Sequence, residues 1–186
     1  MTTTTTVTSI EARRLSGRPL SDADFDGVRM LHSDARVMAT LAADGRPAAE
    51  EFTRAFIRAA VEHWDRHGFG WWAFRERASG RFAGYCGLHR VTIEGAAEVE
   101  LGYAVIAEFW GRRRATEMAQ AVLDAGFGPL ALADVVAFTL PTNLASRRVM
   151  QHTGFLYERD IVHAGLPHVL YRLRRDRFVQ LSRTIP

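Results

Sequence analysis

Apolar residues alternate with polar or small ones over short stretches of this chain and give way to helical spacing over a few longer ones. The alternation predicts strands at Ile10–Leu15, Gly70–Arg75, Phe82–Arg90, Ala97–Ile106, Val135–Leu140, Phe155–Val162 and His168–Leu173, because successive strand side chains point to opposite faces. Ser21 and Asp22 are placed to cap a helix running through Val28 and Met30. Phe52, Phe56, Ile57, Ala60, Val61 and Trp64 repeat at helical spacing and stop at Gly68, and Ala115, Met118, Ala119, Val122, Leu123 and Phe127 do so after a tight loop. Gly165 and Pro167 mark the turn between the last two strands. The pattern divides the chain into a Thr-rich disordered leader at 1–9, one domain at 10–174, and a basic tail at 175–186 that is read as a short terminal helix.

Composition narrows the class. A chain of 186 residues that is 47% hydrophobic supports one globular core. No apolar run approaches the roughly 20 residues a membrane span needs. The opening Met1–Thr6 lacks the charged start and apolar stretch of a signal peptide, so the chain reads as cytoplasmic and not membrane-bound. Cys86 is the one cysteine, which excludes an internal disulfide and a thiolate metal cluster, and its place in a strand makes it a core residue. All 24 basic residues are Arg against 21 acids, a net charge of +3. Outside Arg112–Arg114 and Arg172–Arg177 the charges are interspersed, so nucleic acid is disfavoured as a partner. His63 and His67 are four apart but lack the adjacent Glu and third ligand of a zinc site, so no metal is expected.

The chemistry concentrates where the strand Glu98-Val99-Glu100-Leu101-Gly102-Tyr103 runs into Trp110-Gly111-Arg112-Arg113-Arg114-Ala115-Thr116-Glu117, which opens a helix. Free amides at a helix start and the positive end of its dipole make an anion site, and small residues before it let a pyrophosphate reach the backbone. Downstream, the strand Val135–Leu140 leads into Pro141-Thr142-Asn143-Leu144-Ala145-Ser146 and closes with Thr153-Gly154-Phe155. Upstream lie Arg14–Leu20, Gly68–Ala73 and Gly84–Leu88. In this order, over roughly residues 12 to 172, these segments resemble the GNAT acetyltransferase superfamily and specifically its RimJ/RimL-type branch.

The resemblance implies a single GNAT-type domain of the α/β (α+β) class. Its central, mostly antiparallel mixed sheet would have about six to seven strands, be splayed by a bulge after Glu100–Gly102, and be flanked by helices. It implies acetyl-CoA as cosubstrate, and direct acetyl transfer to a small-molecule amine or a protein N-terminus, and it allows a homodimer. Carried over residue by residue, it puts the cosubstrate on Val105, Gly111, Arg112, Arg113, Arg114, Ala115, Thr116 and Asn143. Glu100 becomes the candidate base, with Glu98 on the same strand face as its competitor. Ser146, at the third helical position if Asn143 caps the helix, becomes the candidate contact for the departing thiolate. The acid Tyr of many relatives is replaced here by Met150, which has no proton to give.

The loop departs from the family pattern: Arg113 stands where the motif has its central Gly, Arg114 where an aromatic often follows, and Trp110 where the motif opens with Gln or Arg. The amides survive this change, but the permissive backbone does not, and three guanidiniums nearby would add charge-assisted phosphate contacts. Two other readings follow. One is a GNAT-like CoA-binding or regulatory module that lost catalysis through Arg113. The other is a basic RNA- or ribosome-associated protein using Arg147, Arg148 and Arg172–Arg177.

Overall fold

The computed structural model describes residues 6–42 and 44–184; the expected Thr-rich leader falls largely outside them. Eight strands form one sheet in the order β1-β2-β3-β4-β5-β6-β8-β7. They are β1 (Ile10–Glu11), β2 (Leu15–Pro19), β3 (Trp71–Glu76), β4 (Phe82–Ile93), β5 (Ala96–Val105), β6 (Asp134–Thr139), β7 (Leu156–His163) and β8 (Leu166–Arg174). The expected strand at Ile10–Leu15 is two strands, because the Ala12 N–H turns back to the Leu15 carbonyl at 2.9 Å and the chain reverses there.

Six α-helices pack on this sheet: α1 (Phe25–Ser33), α2 (Ala35–Leu41), α3 (Glu50–His67), α4 (Arg114–Phe127), α5 (Leu144–His152) and α6 (Arg175–Thr184). Ser21 and Asp22 open a short 3-10 turn whose capping box with Asp24 leads into α1. The predicted stop at Gly68 is the left-handed C-cap of α3, φ +71°. Helix α2 has too few turns to show a periodicity and was not expected; Asp34 starts it by accepting from the Arg36 N–H. The terminal segment is a helix joined to the core, Phe178 packing on Phe127 at 4.8 Å between ring centroids.

The sheet has two distinct faces. Tyr85 of β4 meets Phe56 of α3 and His32 of α1, whereas a Cβ on Gly126 of α4 would touch Leu88. From Gly84 onward, odd-numbered β4 residues therefore look toward α1 and α3 and even-numbered ones toward α4; before the register shift Phe82 packs on Gly27 of α1. Strand β5 pairs with β4 without a register shift from Gly84↔Val105 to Ile93↔Ala96, so directly opposed residues share a face. The bulge expected after Glu100–Gly102 is absent from this ladder; register shifts occur instead at Phe74/Arg75 and Tyr157/Arg159. What opens the sheet is the parallel step from β5 to β6, whose ladder holds the single pair Glu100↔Val136. Beyond it the strands diverge.

Candidate functional site

The opening between β5 and β6 collects most of the residues singled out in the sequence. The Ile106 N–H bonds to the Ala83 carbonyl, which assigns the even-numbered residues of β5 to the β4 ladder. Tyr103 and Val105 therefore direct their backbone groups to the β6 side, where the partner strand has left. The Val105 carbonyl is taken by Trp110 Nε1 at 2.9 Å, leaving the N–H groups as the edge's free donors.

At the end of that edge the chain makes the loop into α4. Among the described residues, none of the backbone N–H groups from Gly111 to Thr116 donates a hydrogen bond of normal geometry, and the first to do so is Glu117, to the Arg113 carbonyl at 3.0 Å. Six successive orphan donors surround the start of a 14-residue helix. Gly111 has φ +71°, and a Cβ there would meet nothing within 4 Å, so the approach to these donors is open. Arg113 has φ +60° and ψ +19°, the left-handed conformation that glycine adopts most readily. Its side chain is exposed.

The three arginines do not act alike. Arg114 is turned inward, 7% exposed, with Nη2 2.5 Å from Glu76 Oε1, and its guanidinium lies over Phe109. Its side chain thus braces the loop against β3, whereas the side chains of Arg112 and Arg113 are exposed. Arg14 holds the loop from the other side, its Nη2 donating to the Arg112 carbonyl at 3.2 Å and its backbone N–H and Nε to the Glu117 carboxylate at 2.5 and 2.8 Å.

On the α1–α3 face stands Glu100. His89, directly opposite it on β4, lies with Nε2 3.0 Å from Glu100 Oε2. Glu98 is no free competitor: Arg172 binds both of its oxygens, at 2.7 and 3.0 Å, and also pairs with Asp134 and Glu158. Those carboxylates drive the Arg172 pKa up, and Arg172 holds Glu158 below the usual carboxylate range.

On the α4–α5 face stands Ser146. Asn143 caps α5 as expected, its side chain accepting from the Ser146 N–H at 3.1 Å, and Ser146 is at the third helical position. Tyr103 reaches across the opening from β5, with Oη 2.8 Å from Ser146 Oγ and 3.0 Å from the Ser146 carbonyl. Burial pushes the Tyr103 hydroxyl well above its ordinary pKa, so it stays a proton donor. The sequence reading gave Tyr103 no role. The usable signal was chemical, since a phenol on a buried face needs a partner.

The remaining polar candidates are structural. His63 takes the Arg90 N–H on Nε2 and meets the Phe69 carbonyl through Nδ1, so both ring nitrogens are used. Among the described residues no group of three or more His, Cys, Asp and Glu could hold a metal, and no helix is long and apolar enough to cross a membrane. Of the arginines in the RNA-binding alternative, Arg147, Arg172, Arg175 and Arg177 are engaged within the protein. Cys86 is fully buried.

A sheet splayed at one parallel step, with an amide-lined loop and helix at its edge, defines an acyl-CoA-dependent transferase fold. The GNAT acetyltransferase domain model matches residues 14–156, and the chain belongs to that family. It is 28% identical over 195 residues to FsC-acetyl coenzyme A-N(2)-transacetylase of Aspergillus fumigatus, covering 94% of this chain and 80% of that one. A GNAT-family acetyltransferase from Bacillus anthracis superposes with a TM-score of 0.74 at 25% identity, covering 90% of this chain and 99% of the other. The fold is shared with RimL, the ribosomal L7/L12 α-N-protein acetyltransferase solved with coenzyme A, at a TM-score of 0.74, 17% identity and coverage of 89% and 97%. The chain is an N-acetyltransferase of this family, whose general reaction moves an acetyl group from acetyl-CoA to an amine.

Proposed function

We propose that this protein acetylates a primary amine by direct transfer in the β5–β6 opening, with Glu100 as proton acceptor and Ser146, backed by Tyr103, as hydrogen-bond donor to the departing thiolate. The observation that carries the reading is the run of six unpartnered amides from Gly111 to Thr116 at the mouth of the opening. Acetyl-CoA would supply a diphosphate for those donors and a thioester carbonyl for attack. Gly111, Arg112, Arg113, Arg114, Ala115 and Thr116 offer backbone N–H groups to the diphosphate, and the exposed Arg112 and Arg113 add charge. The free edge of β5, at Tyr103 and Val105, aligns the acyl-bearing arm as an added strand would be aligned. Asn143 serves the site indirectly, by fixing the start of α5 and hence Ser146.

The two faces divide the proton traffic. An amine entering from the α1–α3 side meets Glu100, which takes the proton directly or through a water as the nitrogen bonds to the carbonyl carbon. The carbon–sulfur bond breaks on the other face, where the Ser146 hydroxyl, held by its contact with Tyr103, stabilises the departing thiolate by donating a hydrogen bond to it, and the thiolate leaves as coenzyme A thiol with a proton taken from water. Holding both reactants in the opening is worth about 7–11 kcal/mol in favourable intramolecular models, so modest acid–base help suffices. The acceptor is a small-molecule amine or a protein N-terminus.

The test is a thiol-release assay with acetyl-, propionyl- and succinyl-CoA against an amine panel. Turnover should fall about 100-fold or more in Glu100→Gln and by a smaller factor in Ser146→Ala, with acetyl-CoA affinity by calorimetry unchanged. Unchanged turnover in both variants would remove both assignments.

A further inference from the structure

Trp71, His89, Glu100 and Gly102 form one built arrangement that the sequence reading did not contain. A Cβ on Gly102 would lie 2.3 Å from Trp71 Cη2, so only glycine lets the indole rest flat across β5 beside Glu100. Gly87 plays the same part beneath the Trp71 backbone, where a Cβ would stand 2.6 Å from its Cα. The His89 ring then stacks on this indole at 4.8 Å with an interplanar angle of 27°, which fixes its plane. On that ring Nε2 lies 3.0 Å from Glu100 Oε2, within ion-pair distance, while Nδ1 is buried with no hydrogen-bond partner among the described residues. An Nε2–H tautomer satisfies Glu100 and leaves Nδ1 as an unpaired acceptor, less costly than the unpaired buried donor the other tautomer would create. Glu100 Oε1 has no partner among the described residues.

We propose that His89 is a positioning residue for acetyl transfer: held by its stack on Trp71, it donates Nε2–H to Glu100 Oε2 and leaves Oε1 as the oxygen that receives the amine proton. This deepens the proposed function and rests on Glu100 as proton acceptor. The pairing has the logic of any oriented carboxylate: one lone pair is occupied so that the other is aimed. Glu98, two residues away on the same face, is instead bound on both oxygens by Arg172 and has none to offer.

The test uses three substitutions in the whole protein. His89→Phe keeps a ring on Trp71 and removes the donor; His89→Gln keeps a donor near the Nε2 position; Glu100→Gln removes the acceptor. The expected result is a kcat about 10–100-fold lower in His89→Phe, recovery of most of the loss in His89→Gln, and no further loss when His89→Phe is added to Glu100→Gln. Acetyl-CoA affinity and the amine KM should hold across the series, a split that a general packing defect would not produce. The ¹⁵N spectrum of the wild-type protein should show His89 protonated at Nε2 and not at Nδ1; this readout stands even if a variant fails to fold. The proposal is overturned by a His89→Phe enzyme as fast as wild type, by additive losses in the double variant, or by the opposite tautomer. A wild-type protein that acetylates no amine at all overturns the reading of the site itself, a failure distinct from an active enzyme indifferent to His89.

Discussion

Arg113 is one position at which this chain departs from the pattern its resemblance implies, and its backbone yields a quantitative prediction. It sits just before α4 at φ +60° and ψ +19°, a conformation that strains a residue with a Cβ by about 1–2 kcal/mol and glycine not at all. The side chain is exposed, with no hydrogen bond or ion pair among the described residues, so little is lost by removing it. Arg113→Gly thus relieves the strain while raising the entropy of the unfolded chain, an opposing effect of about 0.5–1 kcal/mol. The net expectation is a stabilisation of about 0.5–1 kcal/mol, or roughly 1–4 °C in Tm for a domain of this size. Arg113→Ala is the control, because it removes the same charge and keeps the strained φ; its Tm should stay near that of wild type. Thermal unfolding of the three proteins decides the matter, and calorimetry with acetyl-CoA adds the functional half. Both variants should bind at most a few-fold more weakly, since an exposed guanidinium contributes about 0–1 kcal/mol and the amides remain. A Gly variant no more stable than the Ala variant would refute the left-handed assignment. A collapse of binding in both would mean that the side chain, and not the backbone, holds the diphosphate.

Two further predictions concern ionisation. Burial, with a smaller contribution from Arg29, lowers the His32 pKa from 6.5 to about 4 while its ring nitrogens meet Thr53 Oγ1 and Tyr85 Oη. A depressed histidine stabilises the fold fully above its unfolded value, so stability should decline as pH falls from about 6.5 toward about 4. In His32→Phe that decline should flatten, with a loss of about 1–3 kcal/mol at neutral pH from two unpaired hydroxyls; denaturant midpoints falling in parallel with pH for both proteins would refute this. Arg172→Met should destabilise by about 2–3 kcal/mol at pH 7 by leaving Glu98, Asp134 and Glu158 clustered without their cation. Because Arg172 holds Glu158 below the ordinary carboxylate range, that contribution is present above the range and lost as pH falls through it. The gap between variant and wild type should therefore begin to narrow only as pH falls below about 4.5 and keep narrowing through the depressed pKa, and a gap that stays constant would sink the assignment.

Much of this architecture is legible locally. Alternation located the strands of the sheet, Gly68 ended α3, and Asn143 capped α5 where its side chain type required. What escaped depended on register or on distant partners. Tyr103 had no legible role because its hydroxyl partner is on a helix 43 residues away. Arg114 read as a phosphate ligand because its real partner, Glu76, comes from the far end of β3. His89 is a different case. It and Glu100 are equidistant from the two-residue turn Glu94-Gly95, whose φ values of +49° and +85° mark a tight hairpin, so placing that turn would have paired them from sequence alone. The missing bulge shows the converse: splay was expected from a defect within a ladder, whereas here a ladder simply ends.

That ending is what allows one strand to serve the whole reaction. Had β5 continued pairing with β6 beyond Glu100↔Val136, the donors of Tyr103 and Val105 would be spent on the sheet, and no reactant could pass between its faces. Because the pairing stops there, β5 presents a carboxylate to one face, a phenol three residues further on to the other, and free amides along its edge. The strand then delivers the chain directly to the amides of Gly111–Thr116. The proposed base, the phenol that contacts the proposed donor Ser146, and the binding edge are thereby held at fixed separations by one backbone whose other side is locked to β4 over ten consecutive register pairs. Rigidity on one side and vacancy on the other are the two conditions for positioning a thioester and an amine together. Val136→Pro, which would loosen the last β5–β6 pair, should for this reason lower kcat more than it weakens acetyl-CoA binding; equal losses in both would show that the opening needs no such fixed end.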